Sequence, residues 1–242
     1  MKFLRGLGKI FLSIFTYILA IIIILILTLG IIVMTTVIQS AIFVPDEFII
    51  WAAHDSGTRV VFIFEIVFGM MCINFINGKI FKFPSLVSTK PFRFIKKNKA
   101  RSIAAFSIIL IIAIYFMIAN ISVISSDKIV KHTFFMPQGK EYLYSDIKII
   151  NTGVYGNNIP FVRSKGEFYY IVELNDGTKI NLSNTGGTKD DKDIYQTIME
   201  LDKFFVEAEI PKKVDSRYFD LCEKDLDKIY SNRIKNIFEN VK

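Results

Sequence analysis

Glu65 is the one ionisable residue set well inside an apolar stretch of this sequence, the segment from Val60 to Ile76. A carboxyl group in hydrocarbon is costly to insert, so Glu65 is a candidate intramembrane polar site that handles a proton or an ion. A second reading stands beside it: Arg59 is six residues away, about 9 Å along a helix, so Glu65 can reach an interface or a polar neighbour. Apart from Asn74 the deep positions offer little, whereas a transporter assembles several polar partners.

The other chemistry-bearing residues are scattered. His54 stands beside Asp55 and close to Trp51, but no second His or Cys is near, and a zinc site takes at least three protein ligands. Trp51 reads as an anchor at a membrane interface. The two cysteines, Cys72 in an apolar stretch and Cys222 in a predicted helix, support neither a disulfide framework nor a metal spacing. Gly186-Gly187-Thr188-Lys189 lacks the longer spacing that wraps a phosphate and reads as a turn. Asp190, Asp191 and Asp193 lack the ligand alternation of a calcium loop and suit a helix N-terminus. His132 lies in a predicted strand with no Ser or Cys constellation. No catalytic residue, cofactor or metal is expected, and an enzyme ranks below the other readings.

The elements that must position these residues fall into two halves. Residues 1–126 carry 12 Lys+Arg against 4 Asp+Glu, and residues 127–242 carry 18 against 19. The second half lacks the basic excess of a nucleic-acid-binding domain, so nucleic acid is not an expected partner. Isoleucine (42) far outnumbers alanine (10), the bias of an AT-rich bacterial genome.

Three apolar segments mark a multi-pass membrane half with spans near 10–38, 60–76 and 103–124. Span one competes with a cleaved signal peptide, since Lys2, Arg5 and Lys9 precede it, but such a peptide has an apolar core of about 7–15 residues and a prompt A-x-A site. The linker 77–102 holds eight Lys and Arg and no acid, so it and the N-terminus are expected in the cytoplasm. Passing through span three then puts residues 127–242 outside the cytoplasm, a conclusion that reverses if span two does not cross. Within the linker, Arg93, Lys96, Lys97 and Lys99 alternate with aromatic residues as candidate contacts to anionic lipids, although a topology signal alone explains them.

Residues 127–242 are expected to form an independent α+β domain, a small antiparallel sheet packed with two helices. Strands are predicted at Lys128–Met136, Tyr142–Val154, Phe161–Arg163, Glu167–Leu174 and Thr178–Ser183. The period of two is clearest at Phe168, Tyr170, Val172 and Leu174, and Asp176-Gly177 supplies a hairpin turn. Ile194, Ile198, Leu201, Phe205 and Ala208 recur at helical spacing, and a second helix is predicted from Asp215 or Ser216.

The strand opening at Asp127-Lys128-Ile129 directly after a span, the run Tyr142 to Ile147, the hairpin at Asp176-Gly177 and the helix from Asp190 resemble the pleckstrin-homology-like domains of small bacterial membrane proteins over residues 127–210. That family has seven strands where five are predicted here, and it lacks a helix after Pro211. The resemblance implies a binding or regulatory module without catalytic residues, commonly facing the cytoplasm, in conflict with the charge-derived topology. The leading functional expectation is therefore a membrane protein whose C-terminal domain binds an unknown protein partner or senses a ligand. The alternative is a small transport or immunity-type protein that acts through its span bundle and Glu65.

Overall fold

The computed structural model describes residues 2–54, 60, 98–159 and 162–241. Residues 1–35 with 60–115 form one compact unit and residues 36–59 with 116–242 a second.

Helix α1 (Lys2–Phe43), of which residues up to Thr35 belong to the first unit, contains the one described helical stretch long and apolar enough to cross a membrane, Tyr17–Phe43. Its apolar side chains are exposed around the helix, Leu25, Ile26 and Leu29 among them, as in a helix whose surroundings are as apolar as itself. The hydroxyls of Thr28 and Thr35 donate to the carbonyls of Ile24 and Ile31, so neither is left unbonded. Helix α2 (Lys99–Ala119) carries a shorter apolar stretch, Ser107–Ala119. The span expected at 60–76 lies outside the described residues apart from Val60.

The second unit differs most from the sequence expectation. Its strands are β1 (Phe48–Ala53), β2 (Ile121–Ser125), β3 (Lys128–Thr133), β4 (Met136–Leu143), β5 (Ile147–Val154), β6 (Phe168–Leu174), β7 (Lys179–Asn181), β8 (Thr185–Thr188) and β9 (Lys212–Asp215). Its helices are α3 (Ile194–Glu207), α4 (Phe219–Asp225) and α5 (Lys228–Glu239). In place of one small antiparallel sheet there are two: an antiparallel sheet ordered β4-β3-β2-β1-β8, and a mixed sheet ordered β7-β6-β5-β9 in which β9 runs parallel to β5.

The domain therefore does not begin at residue 127. The segment expected as a loop between spans supplies β1, and the last residues of the expected third span supply β2. Ala53 pairs with Ile121 and Ile50 with Ile124, and Ile124 pairs in turn with Ile129. All five residues of β2 are buried. A strand covered on both faces needs an unbroken apolar run, which is why Ile121–Ile124 reads as a continuation of the helix before it.

Other strands escaped for local reasons. Strand β4 contains Pro137 and Gly139, tolerated because it lies at a sheet edge. Of the strand predicted at Phe161–Arg163, an isolated bridge between Ile159 and Arg163 is present, and Phe161 lies outside the described residues. Strand β6 follows its expected alternation, with Phe168, Tyr170, Val172 and Leu174 buried. Gly177 adopts φ 82° in the turn to β7, where a side chain would be strained. The single terminal helix expected after Pro211 is instead β9 followed by α4 and α5, separated at Leu226-Asp227.

One core joins both sheets to all three helices: Ile50, Ile124 and Ile129 from the first sheet, Ile150, Tyr170 and Val172 from the second, and Ile198, Phe205, Cys222 and Ile234 from the helices. On the other face of the first sheet, Trp51, Ile121 and Val123 form a smaller cluster with Phe43 and Val44 at the end of α1.

Residues 127–242 alone lack β1 and β2, and are expected to give no cooperative thermal transition by circular dichroism. The His54 amide donates to the Asn120 carbonyl at 3.1 Å, so a short turn can replace the intervening chain. A protein in which residues 44–54 are joined through Asn-Gly to residues 120–241 is expected to melt cooperatively. A cooperative melt of the shorter piece would make β1 and β2 dispensable.

Candidate functional site

The residues singled out in the sequence do not converge. Glu65, Arg93, Lys96 and Lys97 lie outside the described residues, and Lys99 opens α2 with its side chain outside them as well. Trp51 is not an exposed anchor; it is 2% exposed and rests on Gly186 and Gly187. A Cβ on Gly186 would stand 2.1 Å from the Trp51 ring, so the glycine pair is a platform for an indole inside β8, not a turn. Asp193 caps α3 by accepting from the Gln196 amide at 2.9 Å, and it pairs with Arg233 at 2.6 Å. Asp190 and Asp191 occupy a tight turn just before, both with positive φ. The His132 ring meets the Pro137 carbonyl at 2.8 Å and packs against Phe43. Cys222 is fully buried, and burial pushes its thiol up to about 11. Among the described residues no group of His, Cys, Asp and Glu is arranged to hold a metal.

A buried charge network went unread. Lys212 of β9 and Asp202 of α3 are 2% and 0% exposed, with Nζ 2.6 Å from Oδ1. The Tyr170 hydroxyl donates to Asp202 at 2.9 Å, and the Asn240 amide donates to the same carboxylate at 2.7 Å. The Lys212 ammonium also donates to the carbonyls of Ile237 and Asn240, at the end of α5 where backbone acceptors lack helical partners. Burial pushes the Lys212 ammonium below its usual value, opposed by Asp202, and pushes the Tyr170 hydroxyl well above its own. Every member is satisfied, as a buried pair requires if it is not to cost stability. The sequence signal was Asp202 itself, four residues after Ile198 and three before Phe205 on the apolar face of α3.

One cleft, of about 470 Å³, lies between the two sheets. One wall carries His54, Ser122 and Lys131, which follow from the pairing of Ala52 with Ser122 and of Ser122 with Lys131. Strand β7, the edge of the second sheet, contributes Lys179 and Asn181, and Tyr155 closes one end.

Lys131 is half-buried, and burial pushes its ammonium below the usual value, with Lys140 adding to the effect and Asp176 opposing it. Its ammonium has no hydrogen-bonded or ion-paired partner among the described residues. The nearby acids are engaged elsewhere. Asp176 accepts from Lys140 at 2.9 Å, the Tyr142 hydroxyl at 2.7 Å and the Thr178 amide at 2.9 Å, and these bonds, led by that to Lys140, hold its carboxyl well below the ordinary range. Glu173 is shared between Lys179 and Lys148. At the Tyr155 end, the Arg163 guanidinium lies 4.8 Å over the ring, and its buried Nε has no hydrogen-bond partner among the described residues. A half-buried cation on a wall that also carries a hydroxyl and an imidazole, with no carboxylate among its described lining residues, is suited to receiving an anionic group.

No family model matches the chain, and no curated protein or solved structure matches it.

The two lysines should respond oppositely to substitution. Asp202→Asn leaves Lys212 buried without its anion and is expected to destabilise the domain by about 3–5 kcal/mol. Lys131→Met removes a half-buried cation that has no ion-paired partner among the described residues and is expected to stabilise the domain by about 1 kcal/mol. Thermal unfolding of the full chain in detergent, followed by the fluorescence of Trp51, measures both. A loss of stability in Lys131→Met as large as that in Asp202→Asn would make Lys131 a structural residue.

Proposed function

We propose that the chain is a multi-pass membrane protein whose split α+β domain is a non-catalytic sensing module on the extracytoplasmic side, taking an anionic group in the cleft at Lys131. The observation that carries this reading is the seat of β1 between β2 and β8. Strand β1 follows α1 after four residues, and β2 follows α2 after Asn120 alone, so a shift in the first sheet pulls on both apolar helices through the covalent chain. An occupied cleft thus changes the tension on the membrane segments.

Sheet pairing also constrains the topology. Strands that pair share one aqueous compartment, so the chain between Ala53 and Ile121 crosses the bilayer twice or not at all. If α1 crosses once, this reading puts the domain opposite the N-terminus whether or not span two crosses. The eight cations of linker 77–102 favour two crossings, which keep the linker with the N-terminus in the cytoplasm. The helical part of span three is then residues 103–119, 17 residues, at the short end of the roughly 17–25 that span a bilayer.

The pleckstrin-homology-like reading is kept as part of this proposal on the sequence resemblance of residues 127–210. The non-catalytic reading rests on the sequence, which offers no nucleophile and base motif; Cys222 is sealed in the core and His132 is tied to Pro137, while His54 and Ser122 line the cleft.

Accessibility of single cysteines tests the topology, in a full-length background with Cys72 and Cys222 replaced. Asn232→Cys, on the exposed side of α5, is expected to react with an impermeant thiol reagent in intact cells, and Asn98→Cys only after permeabilisation. Protection of Asn232→Cys until permeabilisation would overturn the extracytoplasmic placement.

A further inference from the structure

The turn between β3 and β4 presents three consecutive large apolar residues, Phe134, Phe135 and Met136. Phe135 is 87% exposed and Met136 42%. No Lys, Arg, Asp or Glu occurs between Lys131 and Lys140. Hairpin tips are ordinarily polar, and an exposed cluster of this kind marks an interaction site.

Three contacts say what lies beside this tip. The Phe134 ring stands 6.0 Å from that of Phe116, in the last turn of α2, whose apolar stretch runs from Ser107 to Ala119. His132, two residues before Phe134, packs at 4.7 Å on Phe43, the last residue of α1. The Gln39 amide donates to the Met117 carbonyl at 2.9 Å, so the last turns of the two apolar helices are joined at this level. The tip thus lies alongside both helices where their apolar stretches end. In a protein anchored by α1 and α2, that level is the boundary between headgroups and acyl chains.

We infer that the Phe134-Phe135-Met136 tip inserts into the lipid bilayer beside the ends of α1 and α2, giving the domain a lipid contact separate from its covalent anchors. The occupant is the acyl region of the bilayer, because the tip lies beside Phe43 and Phe116, where the apolar stretches of α1 and α2 end, and it carries no charge with which to select a headgroup. Insertion of about 5–10 Å below the headgroups is the depth apolar side chains reach at an interface. The hairpin also contains Lys131, so the lipid contact adjoins one wall of the cleft and holds it in a fixed relation to the bilayer. This inference rests on the proposed membrane-crossing role of α2.

The test is site-directed spin labelling of the full-length protein, lacking its native cysteines, in phosphatidylcholine vesicles. Labels at Phe135→Cys, Ile112→Cys on α2 and Ile229→Cys on α5 are compared for collision with oxygen, enriched in lipid, and with a water-soluble nickel chelate. The labels at 135 and 112 are expected to favour oxygen, with 135 about 5–10 Å below the phosphates, and 229 is expected to favour the chelate. A label at 135 that favours the chelate while 112 favours oxygen overturns tip insertion and leaves the crossing of α2 intact. Labels at both positions that favour the chelate overturn the crossing and the insertion together. A label at 135 shielded from both reagents points to a protein partner and also overturns lipid insertion.

Discussion

The pairing of β1 with β2 is the constraint on which the rest of the second unit depends. Without it, Ile50 and Trp51 leave the two faces of the first sheet, β8 has no neighbour, and Gly186 and Gly187 lose the indole that they support. Each fully buried large apolar side chain contributes about 1.5–3 kcal/mol, so these residues alone supply a large part of the roughly 5–15 kcal/mol by which a domain is stable. Because β1 reaches the sheet only after the chain has passed through α1, the domain is completed by chain from both sides of the second apolar segment. This arrangement makes the apolar segments part of the connectivity of the fold.

The sequence was legible where one face of an element meets water. Strand β6 alternates cleanly because its intervening residues are half-exposed, and the apolar face of α3 repeats at helical spacing for the same reason. It was illegible where both faces are covered. Ile-Ile-Trp-Ala-Ala in β1 and Ile-Ser-Val-Ile in β2 have no polar side to alternate with, and next to long apolar helices they merge into them. Strand β8 was obscured by Gly186 and Gly187, which read as a turn because the reason for them, Trp51, is 135 and 136 positions away. The separation of the terminal helices at Leu226-Asp227 leaves only a faint mark, since Asp227 precedes α5 as a cap without a side-chain hydrogen bond.

The candidate cleft was equally hidden, for a topological reason. His54 and Lys131 carried no shared signal in the chain; they face one opening because β1, β2 and β3 stand side by side. The two lysines of the domain's interior then divide in role. Lys212 has a carboxylate and two carbonyls and fastens β9, α3 and α5 together, whereas Lys131 is half-buried and has no ion-paired partner among the described residues. A cation kept in that setting costs stability, which is the physical argument behind the proposed binding role of the cleft.

The most direct measurement of the central claim is a cross-link between β1 and β2. In a full-length protein lacking Cys72 and Cys222, cysteines at Ala52 and Ser122 occupy paired positions and both face the cleft, within reach of an oxidant. After oxidation in the membrane and cleavage at a protease site engineered into linker 77–102, the two fragments should migrate as one species without reductant and separate with it. The off-register pair Ala52 and Thr133 should stay unlinked. Fragments that separate without reductant for the 52–122 pair, under conditions that oxidise an exposed control pair, would contradict the placement of β1 in the domain and the topology built on it.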